Sequence, residues 1–179
     1  MAGRLEERIA VVTGAAGGMG RAAAIRLASE CAEVEILDLK DASAVVNETE
    51  AAGGKALATL CDCTDESQID RAVKEIEQRN GRVDVLVNNA GILSGRKPWH
   101  TVSKEEMNRY VQVNFMGYFL VTKAMYPLLK RSRTPRVINV ASRTYFLANP
   151  GQMATSHVRA RLWASPGSSP KNWAKKVSR

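Results

Sequence analysis

The sequence predicts an α/β fold: a doubly wound parallel sheet of strand order 3-2-1-4-5, incomplete at its C-terminal end. Two observations predict it. Short apolar, β-branched runs alternate with longer helical patterns along residues 8–141, and a glycine-rich turn joins the first run directly to the first helix. Strands are expected near 8–13, 34–38, 56–61, 84–88 and 136–141, with helices near 20–30, 42–53, 66–79 and 104–130. The first strand, Ile9-Ala10-Val11-Val12, has the continuous apolar character of a strand covered on both faces. The second is Val34-Glu35-Ile36-Leu37, ending at Asp38, and the third covers Ala56 to Leu60. Asp65 is placed to cap the third helix with Gln68 three residues on, and Gly81 to end it before Val83-Asp84-Val85-Leu86-Val87. Right-handed crossovers then put helices on both faces of the sheet.

The turn Thr13-Gly14-Ala15-Ala16-Gly17-Gly18-Met19-Gly20 is suited to a dinucleotide pyrophosphate. Gly14 permits a tight turn, Gly18 lets the backbone approach a phosphate, and Gly20 allows close helix packing. The helix N-terminus adds unpaired N–H groups and the positive end of a dipole. A tight βα turn with no ligand can also use such glycines. Asp38 lies 18 residues after Gly20, at a strand end, where a carboxylate accepts hydrogen bonds from the adenosine ribose. A carboxylate there repels a 2′-phosphate, so NAD(H) is expected over NADP(H); Lys40 and Arg21 lie near enough to soften that preference. A solvated strand-end acid is the other reading of Asp38. Gly14, Asp38, Asp62, Asn89 and Ser142 all fall at the carboxyl ends of predicted strands, as a shared site requires.

These residues in their order resemble the short-chain dehydrogenases/reductases. Thr13-Gly14-x-x-x-Gly18-x-Gly20 followed by Asn88-Asn89-Ala90-Gly91 matches that family's spacing, and the resemblance runs from about Leu5 to Ala154. It implies a Rossmann-like fold and hydride transfer between a nicotinamide and a carbonyl or secondary alcohol. The implied cofactor-binding set is Thr13, Gly14, Gly18, Met19, Gly20, Asp38, Asp62, Cys63, Asn89, Ala90 and Gly91, with Asp62 at the adenine. The implied catalytic residues are Ser142, on the substrate oxygen, and Asn114, anchoring a water in the proton path. Taken singly, Ser142 also reads as a turn former and Asn114 as an ordinary helix residue. The intact family forms homo-oligomers, a doubtful expectation for this chain.

The chain departs from the family where the chemistry should be completed. The family's tyrosine belongs 13 residues after the serine, where Thr155 stands, and its lysine four later, where Arg159 stands. Threonine is too weak an acid for the tyrosine's role, and arginine differs from lysine in reach and geometry. Tyr126 and Lys130 have the same relative spacing but precede the serine strand, on a helix read as interrupted by Pro127. Tyr145 follows Ser142 by only three residues and has no lysine at the required offset.

Composition changes at the same place. Residues 155–179 carry six Lys/Arg and no Asp/Glu, so they hold +6 of the +8 formal charge, and two of the three Trp. Helical periodicity is lost. The genetic code accounts for this. Starting a frame at the third base of the Ala154 codon, the fixed bases permit Tyr-Val-Thr-Cys-Lys-Gly-Ala-Val-Met-Gly-Phe-Thr-Arg-Glu-Leu-Ala-Lys-Glu-Leu-Gly. That restores the tyrosine, the lysine and an amphipathic helix together. The sequence is therefore read as a dinucleotide-binding domain over 1–154 followed by a basic, out-of-frame or disordered tail over 155–179. The later strands and the substrate-covering segment are missing, so apolar surface near Val137–Val140 should be exposed and stability marginal.

The remaining features restrict the function classes. At 179 residues, 45% hydrophobic and 25% charged, the chain is expected to be one globular domain. No run of 18 apolar residues and no leader pattern is present, so a cytoplasmic protein with no membrane span is expected. Cys31, Cys61 and Cys63 make no disulfide framework, and no metal site is expected. The basic excess belongs to the tail, which argues against nucleic acid as a partner. Asn-Asn-Ala-Gly together with the serine strand disfavours a Rossmann-like methyltransferase. An NAD(P)-dependent oxidoreductase acting on a small carbonyl or alcohol is expected, this chain being inactive without the tyrosine and lysine. A non-catalytic nucleotide-binding or interaction module is the alternative. Acyl thioesters, sugars, steroids and simple secondary alcohols all remain open as substrates.

Overall fold

The computed structural model describes residues 3–93, 98–143 and Val158. Five strands form one parallel sheet: β1 (Ile9–Thr13), β2 (Glu33–Asp38), β3 (Lys55–Leu60), β4 (Val85–Asn88) and β5 (Arg136–Asn139), ordered β3-β2-β1-β4-β5. The helices are α1 (Gly18–Ser29), α2 (Ser43–Ala51), α3 (Glu66–Asn80), α4 (Lys104–Val111) and α5 (Gly117–Lys130). The doubly wound sheet expected from the sequence is thus present.

Alternation along each strand divides the core between two faces. Ala10 and Val12 of β1, Val34 and Ile36 of β2, and Val85 and Val87 of β4 pack with Ala24 and Ala28 of α1 and Val45 of α2. Val11, Leu37 and Leu86 point the other way, onto Ile69, Ala72 and Ile76 of α3 and Val121, Met125, Leu128 and Leu129 of α5. The reversal of winding direction between β1 and β4 leaves a crevice at their carboxyl ends.

Local signals act as expected at α3. Asp65 accepts from the Ser67 and Gln68 N–H groups, and these bonds with the Ser67 hydroxyl hold its carboxyl down at about 2. Gly81 ends the helix at φ 70°, a left-handed conformation that favours glycine. Three features differ from the sequence reading. The helix expected over 104–130 is two helices joined by a π-helical turn, Gln112–Met116. Pro127 does not interrupt α5, which continues to Lys130; its missing N–H costs one bond on an exposed face. Trp99–Thr101 forms a short 3-10 turn that the sequence did not indicate.

At the amino ends of the strands Asp84 is 2% exposed. It accepts hydrogen bonds from the Ile9 N–H (3.0 Å), the Ser132 hydroxyl (2.6 Å), Arg82 Nε (3.1 Å) and Arg8 (3.3 Å). Burial pushes its carboxyl up, but the Ser132, Ile9 and Arg82 donors outweigh it, so the net shift is downward. A depressed folded value gives stability that is present above the unfolded value of about 4 and is lost as pH falls through the folded one. Asp84→Ala should cost about 3 kcal/mol at pH 7, because buried donors lose their acceptor. Urea melts of both proteins should show that difference shrinking by pH 3; a constant difference would refute the ionic contribution.

Beyond β4 the sheet is thinly covered. The β4 residues Val85 and Val87 are buried, whereas Ile138 on the edge strand β5 is 49% exposed and Asn139 is exposed. Val158 is helical and buried, packing with Tyr110 beside Ile92, Met107, Val111 and Phe115.

Candidate active site

The glycine loop closes on itself and on the loop after β4. Gly14 has φ +67°, and a Cβ there would lie 2.6 Å from Ala90 Cα. A Cβ on Gly20 would lie 2.2 Å from the Gly14 carbonyl oxygen and 2.5 Å from Asn89 Nδ2. Gly20 therefore serves the contact of helix start with loop rather than helix on strand. Gly18 has φ +56° and open space around it, with nothing within 4 Å of an added Cβ. That space lies at the first turn of α1, where N–H groups lack intrahelical acceptors. Met19 is exposed beside it.

Thr13 and Asn89 knit the two loops together. The Thr13 hydroxyl accepts from the Asn89 and Ala90 N–H groups, both at 3.0 Å. Asn89 Nδ2 donates to the carbonyls of Thr13 (3.0 Å) and Gly14 (2.8 Å). Gly91 follows as an exposed residue. Asp38 is half-buried; its carboxylate accepts from the Ala16 N–H at 2.8 Å and the Lys40 N–H at 2.9 Å. It thus braces the glycine loop, a contact the strand-end position alone did not reveal.

Asp62 lies beyond β3 on the same rim. Its carboxylate accepts from Thr64 N–H (2.8 Å) and hydroxyl (2.7 Å), and its own N–H donates to Gln68 Oε1 (3.0 Å). Cys63 is buried, and its carbonyl oxygen is 3.2 Å from where a Gly117 Cβ would stand. A larger residue at the start of α5 would press against this turn.

Asn114 sits in the π-helical turn, fully buried. Its Oδ1 accepts from the Ile92 N–H (2.8 Å) and its Nδ2 donates to the Ile92 carbonyl (2.9 Å). The carboxamide pins the loop after Gly91 to the helix. Ser142 is half-buried just past β5. That strand end is tied down by Val140 N–H donating to the Asn88 carbonyl (2.9 Å) and the Tyr118 hydroxyl donating to the Val140 carbonyl (3.3 Å). The sequence reading missed a further tie: Asn88 Nδ2 donates to Thr122 Oγ1 (2.9 Å) and Asn139 Oδ1 (2.8 Å), joining β4, α5 and β5. Asn88 Oδ1 is the one buried side-chain oxygen or nitrogen among the described residues without a partner. Adjacent asparagines at a strand end were the available signal.

Thr155, Arg159 and Tyr145 lie outside the described residues. Tyr126 and Lys130 do not fall at the site: the Leu128 carbonyl between them accepts from Val83 N–H, ahead of β4, at the opposite end of the sheet. Lys130 Nζ rests 5.6 Å from the Tyr126 ring centroid. Among the described residues no cluster of three or more His, Cys, Asp or Glu could hold a metal, and no helix is long and apolar enough to cross a membrane.

A parallel sheet with a glycine cradle at its winding reversal, braced by a strand-end acid, is the architecture of a dinucleotide-binding α/β protein. More particularly, the chain belongs to the short-chain dehydrogenase family, whose model matches residues 8–156. It is 33% identical over 177 residues to the 3-oxoacyl-[acyl-carrier-protein] reductase FabG of Thermotoga maritima, covering 98% of this chain and 70% of that protein. It is 33% identical to levodione reductase of Leifsonia aquatica, covering 78% of this chain and 54% of the relative. A solved short-chain dehydrogenase/reductase from Burkholderia xenovorans superposes with a TM-score of 0.82 at 33% identity, over 89% of this chain and 64% of that one. Relatives of this family are oxidoreductases that use NAD(P) and act on small molecules.

Proposed function

We propose that the chain derives from an NAD(H)-preferring oxidoreductase that moves hydride between nicotinamide and a carbonyl or secondary alcohol. As written, it is a nucleotide-binding body without its proton donor. One observation carries this reading: the glycine cradle, Asp38, Asn114 and Ser142 stand in family order on one rim, while Thr155 and Arg159 occupy the tyrosine and lysine positions. The open space at Gly18 and the free N–H groups of α1 fit a pyrophosphate. Bound nicotinamide supplies the hydride. Ser142 hydrogen-bonds the substrate oxygen. Asn114 anchors a water in the proton path: its two bonds to Ile92 use one N–H and one lone pair of the carboxamide and leave one of each. The family model ends at residue 156, while the alignment to the Thermotoga maritima protein continues over 98% of the chain. The non-catalytic module remains the reading of the chain as translated. Three free cysteines, one of them exposed, suit a reducing cytoplasm.

Asp38 tests the cofactor assignment. In titrations of the full chain, NADH should bind at least about tenfold more tightly than NADPH, since a 2′-phosphate would lie against a carboxylate. Asp38→Ala should weaken NADH and narrow that gap. Tighter NADPH binding by the unsubstituted chain would overturn the preference.

A further inference from the structure

One edge of the sheet is open in a form that favours strand pairing. Among the described residues β3 ends the sheet and pairs with β2 alone, in continuous register from Lys55 to Leu60. Sheet edges are ordinarily blunted by proline, by charge or by a bulge. β3 holds no proline and no bulge, and its single charge, Lys55, stands at its first position, bound to Glu33 at 2.9 Å. Leu57 and Leu60 are 49% and 62% exposed, and Ala58 between them is exposed as well. The other edge is shorter and more polar: β5 has four residues, opening on Arg136 and closing on Asn139.

We propose that the β3 edge is a dimer interface: a second copy of this chain pairs with it antiparallel, about a two-fold axis at Ala58, joining the two sheets into one.

The backbone sets the register. The Cys61 N–H donates to the Asp38 carbonyl at 2.8 Å, so the backbone groups of Cys61, Thr59 and Leu57 face β2. With a period of two, those of Ala56, Ala58 and Leu60 face outward. Antiparallel pairing centred on Ala58 sets Ala58 opposite Ala58 of the second copy, and Ala56 opposite its Leu60. All three are hydrogen-bonded pairs and together exchange about six N–H···O bonds. On the α3 face of the sheet Leu57 then meets Thr59 of the second copy. Each leucine faces a smaller side chain, and the axis passes through alanine.

The flank of the edge also suits an identical partner. Thr59 Oγ1 donates to Glu75 Oε2 at 3.3 Å, so α3 runs beside β3. Its outer side carries a groove of about 410 Å³ lined by Ser67, Asp70, Arg71, Lys74, Glu75 and Gln78. Two acids and two bases leave that lining without net charge, which suits a copy of itself better than a polyanion or a polycation. A contact of this isologous kind closes at two copies. The cleft between β1 and β4 stays open, because β2 separates it from the axis.

Sedimentation velocity of the full chain should show a monomer–dimer equilibrium between about 1 and 100 μM. Ala58→Pro removes both N–H donors of the central pair without removing a ladder bond of the monomer, and Ala58→Lys sets two like charges opposite each other. Each should weaken dimerisation at least about tenfold, with the circular dichroism of the dilute chain unchanged. In a chain carrying Cys31→Ser, which removes the exposed thiol, Ala58→Cys should oxidise to a covalent dimer, since the Cα atoms of such a pair lie about 5.5 Å apart. Leu57→Cys should not, because its two copies lie more than about 7 Å apart. A chain that stays monomeric at about 100 μM would overturn the proposal and leave the edge to a strand of another protein. A dimer that survives both Ala58 substitutions would place the contact elsewhere and overturn it too. Cross-linking as fast through Leu57→Cys as through Ala58→Cys would overturn the register.

Discussion

A chain with one base restored near codon 154 should oxidise NADH against a panel of ketones, or reduce NAD against secondary alcohols, at least about 10²–10⁴ times faster than the chain as written. The factor is what a positioned general acid or base contributes. In the chain as written, Ser142 and Asn114 keep their places on the rim, and the Asn114 carboxamide holds the loop at Ile92. On the proposed reading, the proton donor is what is lacking. The lysine expected to hold the nicotinamide ribose is lacking too, so alignment should suffer as well. Thr155→Tyr alone should not rescue activity, because the lysine and the helix presenting both would still be absent. Equal rates from the two chains would refute the frame reading. Tyr126 offers no escape, since α5 carries it toward the amino ends of the strands.

Gly20→Ala should abolish measurable NADH binding and lower the melting temperature by roughly 6–12 °C. The added Cβ would stand 2.2 Å from the Gly14 carbonyl and 2.5 Å from the Asn89 amide, and 2.8 Å from Ala15 Cα. Two of these neighbours are backbone, so the loop itself must move. Overpacking of this severity costs about 3 kcal/mol, and 1 kcal/mol is worth about 2–4 °C in a chain of this size. The same displacement breaks the Asn89 bonds that fix the cradle. Gly18→Ala separates fold from function. Its Cβ would meet nothing, so only the left-handed φ of 56° costs stability, about 1 kcal/mol, while the methyl occupies the space expected for phosphate. A Gly20→Ala protein that melts and binds like the parent would show that the loop is not the cradle described.

The sheet was legible because each strand is a short β-branched run and each crossover a helix with its own stop, such as Gly81. The family of rim residues was legible because motif spacing survives in sequence. What was not legible depends on contacts between distant residues. The π-helical turn is only five residues long, too short for its wider period to show in the sequence, and only the docking of Asn114 on Ile92 and of Gly117 on Cys63 marks it. Asp38 read as a ribose ligand, while its bond to Ala16 N–H depends on the loop's path. Asn88, Thr122 and Asn139 belong to three elements, so the adjacent asparagines at the end of β4 hint at Asn88 alone and not at its partners.

Residues up to about Ala154 are proposed to form a dinucleotide cradle that works without the catalytic pair. Isothermal titration of the full chain with NADH tests it most directly. One NADH should bind per chain, NADPH should bind more weakly, and the binding signal should be lost in Gly20→Ala. A folded chain that takes up no NADH, or one that binds it equally well with Gly20→Ala, would contradict the account.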